Sequence, residues 1–217
     1  MWKLDPRTTY SPAERFSDAV VHYIGVVLAL SGVPVLVVLA VLLRGDWASI
    51  TGIAVYGACL LAMLVCSALY NITHGGRWTA LFRRLDHSAI YLKIAGTFTP
   101  LVALTGAAGL PLLAGLWGAA LGGTSLKVWA PDRLRWLGLS IYLGMGWIGV
   151  FAGASVLDAL SPAAWRLVVA GGLIYTLGVA FFLWDRLPFH TTIWHVFVLV
   201  ATVLFYVAMT VEVVRVA

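Results

Sequence analysis

Residues Ser67 to Pro100 read SALYNITHGGRWTALFRRLDHSAIYLKIAGTFTP and hold the densest polarity within the apolar part of the chain. One apolar segment ends with Ser67 and Asn71, which lie one helical turn apart and share a face. A short basic loop follows, and the next apolar segment begins with Asp86 and His87 at its threshold. Ionisable residues at the edge of hydrocarbon are costly, so they usually mark a site, a charged partner or a water-filled cavity. We therefore expect the functional site here.

The composition is that of a membrane protein. The chain has 217 residues, of which 62% are hydrophobic and 11% charged, with a mean hydropathy of +0.97. A soluble domain carries about 25% charged residues. A net charge of +5 would suit nucleic acid, but the basic residues are scattered between apolar segments, which is typical of topology signals. We predict a multi-pass protein of the inner membrane without a nucleic-acid partner.

Seven apolar segments predict an all-α fold, a seven-transmembrane helix bundle, because each is close to the ~20 residues that cross a bilayer as a helix. The bundle forms one membrane domain of residues 19–217, and residues 1–18 form a cytoplasmic N-terminal segment. The predicted spans are Ala19–Leu43, Ala48–Tyr70, His87–Leu104, Pro111–Ala130, Leu134–Leu157, Ala163–Trp184 and His190–Val211.

Local signals predict where two helices begin and where two pack closely. Ser11–Glu14 is typical of a helix start, with serine as N-cap, proline in the first turn and glutamate reaching back. Ser161–Pro162 marks a second start. Gly118 and Gly122 are small residues four apart, which predicts a close approach between helices at this point.

The basic residues predict the orientation of the bundle. Of the fourteen Lys and Arg residues, ten fall on the side of the N-terminus and three on the opposite side. The positive-inside rule then places the N-terminus in the cytoplasm and the C-terminus outside. With this orientation all five histidines lie in or near the cytoplasmic third of the bundle, which predicts a polar chamber open to the cytoplasm. They are His22, His74, His87, His190 and His195.

Two further polar positions leave alternatives open. Glu14, Asp18 and His22 are spaced by four and share a helix face. This stripe is either solvated beside the membrane, or His22 faces the same chamber as Asp86.

Lys93 lies on nearly the same face as Asp86 and roughly 10 Å deeper. A lysine facing lipid at that depth would be costly, so Lys93 either lines the chamber as a counter-charge to Asp86 or snorkels to the interface.

The chain resembles a known family in three stretches: SALY followed by RRLDHSAIYLKIAGTFTP, PFHTTIWHVFVL at Pro188–Leu199, and ERFSDAVVHYIG at Glu14–Gly25. These are similar to hemolysin III-type bacterial membrane proteins of the progestin and adipoQ receptor superfamily. The resemblance runs over almost the whole chain. It implies a lipid-binding or membrane-homeostasis factor, with a membrane lipid or fatty acid as partner. The alternative it implies is a membrane-embedded, metal-dependent hydrolase of a lipid amide.

The resemblance also implies a zinc site in which three histidines are ligands, one on the second helix and two in an HxxxH on the seventh. Ser67 and Asp86 match the family's serine and aspartate, which would be catalytic in an enzyme. His195 matches the last histidine. Asn71 and Thr191 stand where the other two histidines are expected, and neither is a strong zinc ligand. A degenerate site with no zinc, or with weakly bound zinc, is therefore implied.

Three interpretations of this degenerate site remain open. In the first, the residues at these five positions form a metal-free, hydrogen-bonded cluster. In the second, His74 and His190 form a shifted metal shell with His195 or Asp86, although His190 and His195 are about 140° apart around an ideal helix. In the third, Asp86 and His195 keep zinc weakly with water. In all three interpretations, the residues expected to line the chamber include Asn71, Thr191, His22, His87 and Lys93.

Overall fold

The computed structural model describes residues 10–73, 77–106, 109–129, 135–151 and 154–215, and within these ranges every regular element is a helix. The prediction of an all-α fold is thus confirmed. The described ranges contain eight helices: α1 Pro12–Leu43, α2 Trp47–Ile72, α3 Thr79–Thr105, α4 Leu110–Trp129, α5 Arg135–Phe151, α6 Ala154–Asp158, α7 Pro162–Leu183 and α8 His190–Val214. Helices α5 and α6 together occupy the fifth predicted span.

Five of the described helices are long and apolar enough to cross a membrane, namely α1, α2, α3, α7 and α8. The apolar part of α5, Trp136–Ile148, is shorter than a full span. Helix α4 has 20 residues but is interrupted by small and polar side chains, so it does not reach the same hydropathy. These helices agree with the prediction of a multi-pass membrane protein.

The predicted start of the first helix is confirmed. The hydroxyl of Ser11 accepts a hydrogen bond from the backbone N–H of Glu14, and the Glu14 carboxylate accepts one from the N–H of Ser11 at 2.8 Å. The same carboxylate also accepts from the N–H of Phe189 at 2.9 Å, so it joins the start of α1 to the start of α8. Ser161 caps α7, as predicted.

Helix α3 begins at Thr79, earlier than the apolar pattern predicted, so Asp86 and His87 lie inside the helix rather than at its threshold. In the extra turns, Arg83, Arg84 and Asp86 interrupt the apolar residues, so a search for uncharged spans starts after them. The helix ends at Thr105, where Gly106 adopts a left-handed φ of 63° that favours glycine.

Helix α3 lies at the centre of the bundle. It packs extensively against α2 and α4 and also contacts α5 and α8. Helices α7 and α8 form the other large contact, and α1 packs between α2 and α8. The first and last helices are therefore neighbours, although they are the most distant elements in the sequence.

Close packing of the helices uses glycines other than the predicted pair. A Cβ added to Gly57 would lie 2.4 Å from Cγ1 of Val33, so α1 and α2 approach closely there. By contrast, a Cβ on Gly118 or Gly122 would meet nothing within 4 Å among the described residues. The prediction of a close approach at Gly118 and Gly122 is therefore wrong.

Candidate metal centre and ligand cavity

Three potential metal ligands from the first and last helices meet at one point. They are Asp18 and His22 of α1 and His195 of α8, and one ligand atom of each lies within 4.8 Å of the other two. Nδ1 of His195 is 2.6 Å from Oδ1 of Asp18. The two imidazole rings pack edge-on, with centroids 4.3 Å apart. We refer to Asp18, His22 and His195 as the donor triad.

The backbone of α1 selects the tautomer of His22. Nδ1 of His22 lies 2.7 Å from the carbonyl oxygen of Asp18. A carbonyl can only accept, so Nδ1 carries the proton and Nε2 keeps its lone pair. Nε2 points to the hydroxyl of Ser67, at 3.1 Å. A second hydrogen bond that fixes the tautomer in this way is usual for metal-ligating histidines.

Ser67 and Asn71 of α2 extend the same network. The Asn71 amide donates to the carbonyl oxygen of Ser67 at 3.0 Å and to its hydroxyl at 3.3 Å. Because the hydroxyl oxygen of Ser67 accepts from Asn71, the Ser67 O–H is oriented to donate its proton to Nε2 of His22. Asn71 thus acts on the site by positioning Ser67, which lies directly beside the donor triad.

His190 and Thr191 turn to a different partner. Nε2 of His190 lies 3.2 Å from the hydroxyl of Tyr10, and the Thr191 hydroxyl donates to that same oxygen at 2.9 Å. Burial raises the pKa of the Tyr10 phenol, so it stays neutral and keeps its proton near neutral pH. Neither residue is in the donor triad, and His74 lies outside the described residues. Among the described residues, His190 and His195 therefore do not belong to one ligand group.

Lys93 is buried in the bundle rather than snorkelling to the interface, with 4% of its surface exposed. Its ammonium donates to the hydroxyl of Tyr175 at 2.7 Å and lies 4.4 Å from the centroid of that ring. Asp86 lies in the same cavity. Within the described residues, however, the ammonium is not within 4 Å of that or any other carboxylate.

Except for Asp18, these side chains border one cavity of about 1480 Å³ between α1, α2, α3, α4, α5, α7 and α8. Most of its wall is apolar, with side chains such as Met63, Trp147 and Phe205. Ligand pockets for small molecules measure about 300–1,000 Å³, so this cavity has room for a longer molecule. The residues from the sequence analysis that border it are His22, Ser67, Asn71, Asp86, His87, Lys93, His190, Thr191 and His195.

Comparisons with known proteins identify the family of this chain. The family model described as haemolysin-III related matches residues 13–206. The chain belongs to the haemolysin III family. Hemolysin-3 of Bacillus cereus is 36% identical over 212 residues, which cover 94% of this chain and 96% of that protein. The hemolysin-3 homolog of Bacillus subtilis (strain 168) is 36% identical over 189 residues, covering 86% and 88%.

A more distant relative is human. The monocyte to macrophage differentiation factor of Homo sapiens is 31% identical over 171 residues, which cover 75% of this chain and 70% of that protein. The predicted family resemblance is therefore confirmed.

The donor triad of this haemolysin III protein fits a divalent transition metal. Zinc binds imidazole nitrogen and carboxylate oxygen, and three protein ligands with one further position for water are typical of catalytic zinc sites. At the ligand positions implied by the family resemblance, this chain keeps a single imidazole, that of His195. Helix α1 adds a second imidazole, His22, and a carboxylate, Asp18, to His195.

Sequence reasoning missed Asp18 as a ligand, although the spacing of Asp18 and His22 was the signal that could have found it. The alternative of a solvated stripe is wrong for these two residues, which are 7% and 5% exposed. Periodicity shows that two residues share a face, but it does not show which helix that face meets. Here the face meets α8, where His195 completes the triad.

Proposed function

We propose that this haemolysin III protein binds a membrane lipid or fatty acid in its cavity, with a divalent metal ion, in the first instance zinc, held by Asp18, His22 and His195 at the polar end. The observation that carries this proposal is the position of the donor triad and Ser67 beside a large cavity with apolar walls. The acyl chain of an amphipathic molecule would lie along those walls.

The proposal includes the topology. Helix α4 and the pair α5–α6 complete seven spans, since they pack between α3 and α7 in the same bundle. The N-terminal side, residues 1–18 included, faces the cytoplasm, and residues 19–217 form the membrane domain in the inner membrane. The ten-to-three distribution of basic residues supports this orientation. A reporter fused to the C-terminus that is active only in the cytoplasm would contradict it.

The residues around the triad have distinct tasks. The Asp18 carboxylate accepts from Nδ1 of His195 and orients that ring, while the Asp18 carbonyl orients His22. Without metal, Asn71 positions the Ser67 hydroxyl against Nε2 of His22, and a bound metal would take that lone pair in place of Ser67. A bound zinc ion would act as a Lewis acid and lower the pKa of its water.

A second candidate function is hydrolysis of a lipid amide. The Ser67 hydroxyl beside the triad favours it, because a hydroxyl there can donate a hydrogen bond to the oxygen of a scissile carbonyl. Asp86 lies in the same cavity and is the carboxylate that could take a proton from water.

The experiment that tests the proposal uses protein purified in detergent without chelator. Elemental analysis measures the metal, and native mass spectrometry followed by solvent extraction identifies co-purified lipid. We expect close to one metal ion per chain and a bound acyl lipid. Protein that carries neither, and takes up neither when both are supplied, refutes the proposal.

Incubation of the metal-loaded protein with a long-chain N-acyl amide separates the two candidates. Release of fatty acid by the wild type, lost in Ser67→Ala and Asp86→Asn, would establish the hydrolase. Binding of the amide without release leaves the lipid-binding function.

A further inference from the structure

The cavity contains a buried cation far from its polar end. Lys93 is in the middle of α3, roughly 21 Å along the axis from the first residue, Thr79. Its ammonium donates to Tyr175, whose hydroxyl oxygen lies 2.8 Å from Oγ1 of Thr202. The ring centroids of Tyr175 and Phe205 are 4.4 and 5.0 Å from the ammonium nitrogen. A hydroxyl pair and two aromatic faces therefore surround the charge.

These contacts do not neutralise the charge. An ammonium has three N–H donors, and its hydrogen bond to Tyr175 uses one of them. Across the described ranges, no carboxylate lies within 4 Å of the Lys93 nitrogen. A cation buried at membrane depth without a counter-ion is strongly unfavourable. An anion bound here would supply the counter-charge that the described residues do not.

The charged side chains in the rest of the cavity lining also favour a negatively charged ligand. Its described lining has four basic side chains and two acidic ones, which are Arg77, Arg83, Lys93, Lys127, Asp86 and Asp185. The Phe205 ring lies against the Lys93 ammonium, and most of the cavity wall is apolar. An anion that enters here must therefore be attached to an apolar group.

We propose that Lys93 binds the carboxylate of a long-chain fatty acid whose acyl chain lies in the cavity. This inference rests on the proposed lipid-binding function and names the ligand class. One negative charge matches one ammonium, and the two oxygens of a carboxylate can accept from Lys93 and from the hydroxyl of Tyr175, which both border the cavity. Thr202 is not among the residues that border the cavity and acts by holding the Tyr175 hydroxyl in place.

The test compares three probes with the same C16 chain: palmitate, 1-hexadecanol and hexadecyl phosphate. Binding is measured on delipidated protein in detergent, by thermal shift and by competition with a fluorescent fatty acid. We expect the wild type to bind palmitate at least about 10-fold more tightly than 1-hexadecanol, because only palmitate carries the charge. Lys93→Met should abolish this preference and keep the binding of 1-hexadecanol.

Two further variants control for effects on folding and for other lysines. Lys93→Arg keeps the charge and should keep the preference for palmitate. Lys127→Met is the matched control, since Lys127 is a second buried lysine of the same cavity, placed beside Gly138 of α5. It should also keep the preference.

The outcomes separate this inference from the proposed function. A wild type that binds palmitate and 1-hexadecanol equally overturns the carboxylate site, whatever the variants do. The same holds if Lys127→Met rather than Lys93→Met removes the preference, or if hexadecyl phosphate binds more tightly than palmitate. A wild type that binds none of the three probes refutes the lipid-binding function itself.

Discussion

The donor triad predicts that two nearby aspartates differ sharply in their importance for metal binding. Asp18 lies within the triad, whereas Asp86 lies in the same cavity outside it. The substitutions Asp18→Asn and Asp86→Asn make the same chemical change, because each keeps the size of the side chain and removes its charge. A difference between them therefore reports which carboxylate binds the metal.

The expected magnitude follows from the number of ligands. Structural zinc sites with four protein ligands bind with about 10–16 kcal/mol, or about 2.5–4 kcal/mol per ligand. The loss of one ligand of three should then weaken zinc binding by about 10²–10³-fold. Asp86→Asn removes only a more distant charge, and we expect a change of less than about 10-fold.

The assay is a zinc titration of chelator-stripped protein in detergent, in competition with a colorimetric chelator near neutral pH. Thermal unfolding of each variant without metal shows that it is folded. His195→Ala should match Asp18→Asn, since both remove one member of the triad. Equal weakening by Asp18→Asn and Asp86→Asn would refute the assignment of the ligands. The assignment would also be refuted if Asp18→Asn still bound one zinc ion per chain tightly.

Three further predictions concern stability, measured by unfolding in detergent. Glu212 is 3% exposed and accepts from the N–H of Ser161 at 2.7 Å, so Glu212→Ala should cost about 1–3 kcal/mol; an unchanged melting temperature would contradict this contact. Gly57→Ala places a methyl 2.4 Å from a valine methyl of α1 and should cost about 1–3 kcal/mol. Its control, Gly115→Ala, meets nothing within 4 Å among the described residues and should be neutral or stabilising, and equal effects would argue against the packing. The Asp46 carboxylate accepts from an N–H of the first turn of α2, which holds its pKa below the ordinary 3.8. Such a group stabilises the fold only while ionised, so Asp46→Ala should cost about 1 kcal/mol near neutral pH. This cost should shrink as the pH falls through the lowered pKa, and a pH-independent cost would contradict it.

Features that depend on neighbouring residues were predictable from the sequence. The capping box of Ser11 and Glu14 and the cap at Ser161 follow from side chains that reach only one turn along the chain. The start of α3 at Thr79 was not predictable in the same way. Its first turns are basic and precede the apolar signal, so a search for hydrocarbon-spanning segments begins too late.

The candidate site was predictable only in part, for the same physical reason. Ser67 and His195 stand out by motif, and both lie where the ligand group forms. The ligand role of Asp18 depends on the contact between α1 and α8, which no local pattern encodes. The partners of Lys93 lie on α7 and α8, so the pairing with Tyr175 instead of a carboxylate also required the tertiary structure.

The position of the donor triad between the first and last helices has a consequence for biosynthesis. Asp18 and His195 are 177 residues apart in the sequence. At a translation rate of about 5–20 residues per second, α1 is made roughly 10–35 s before α8 emerges from the ribosome. During this interval Asp18 and His22 have no ligand partner on α8, so a nascent chain cannot assemble the three-donor site. A metal centre at the donor triad would then be among the last parts of the protein to mature, and a chain interrupted before α8 would insert into the membrane without it.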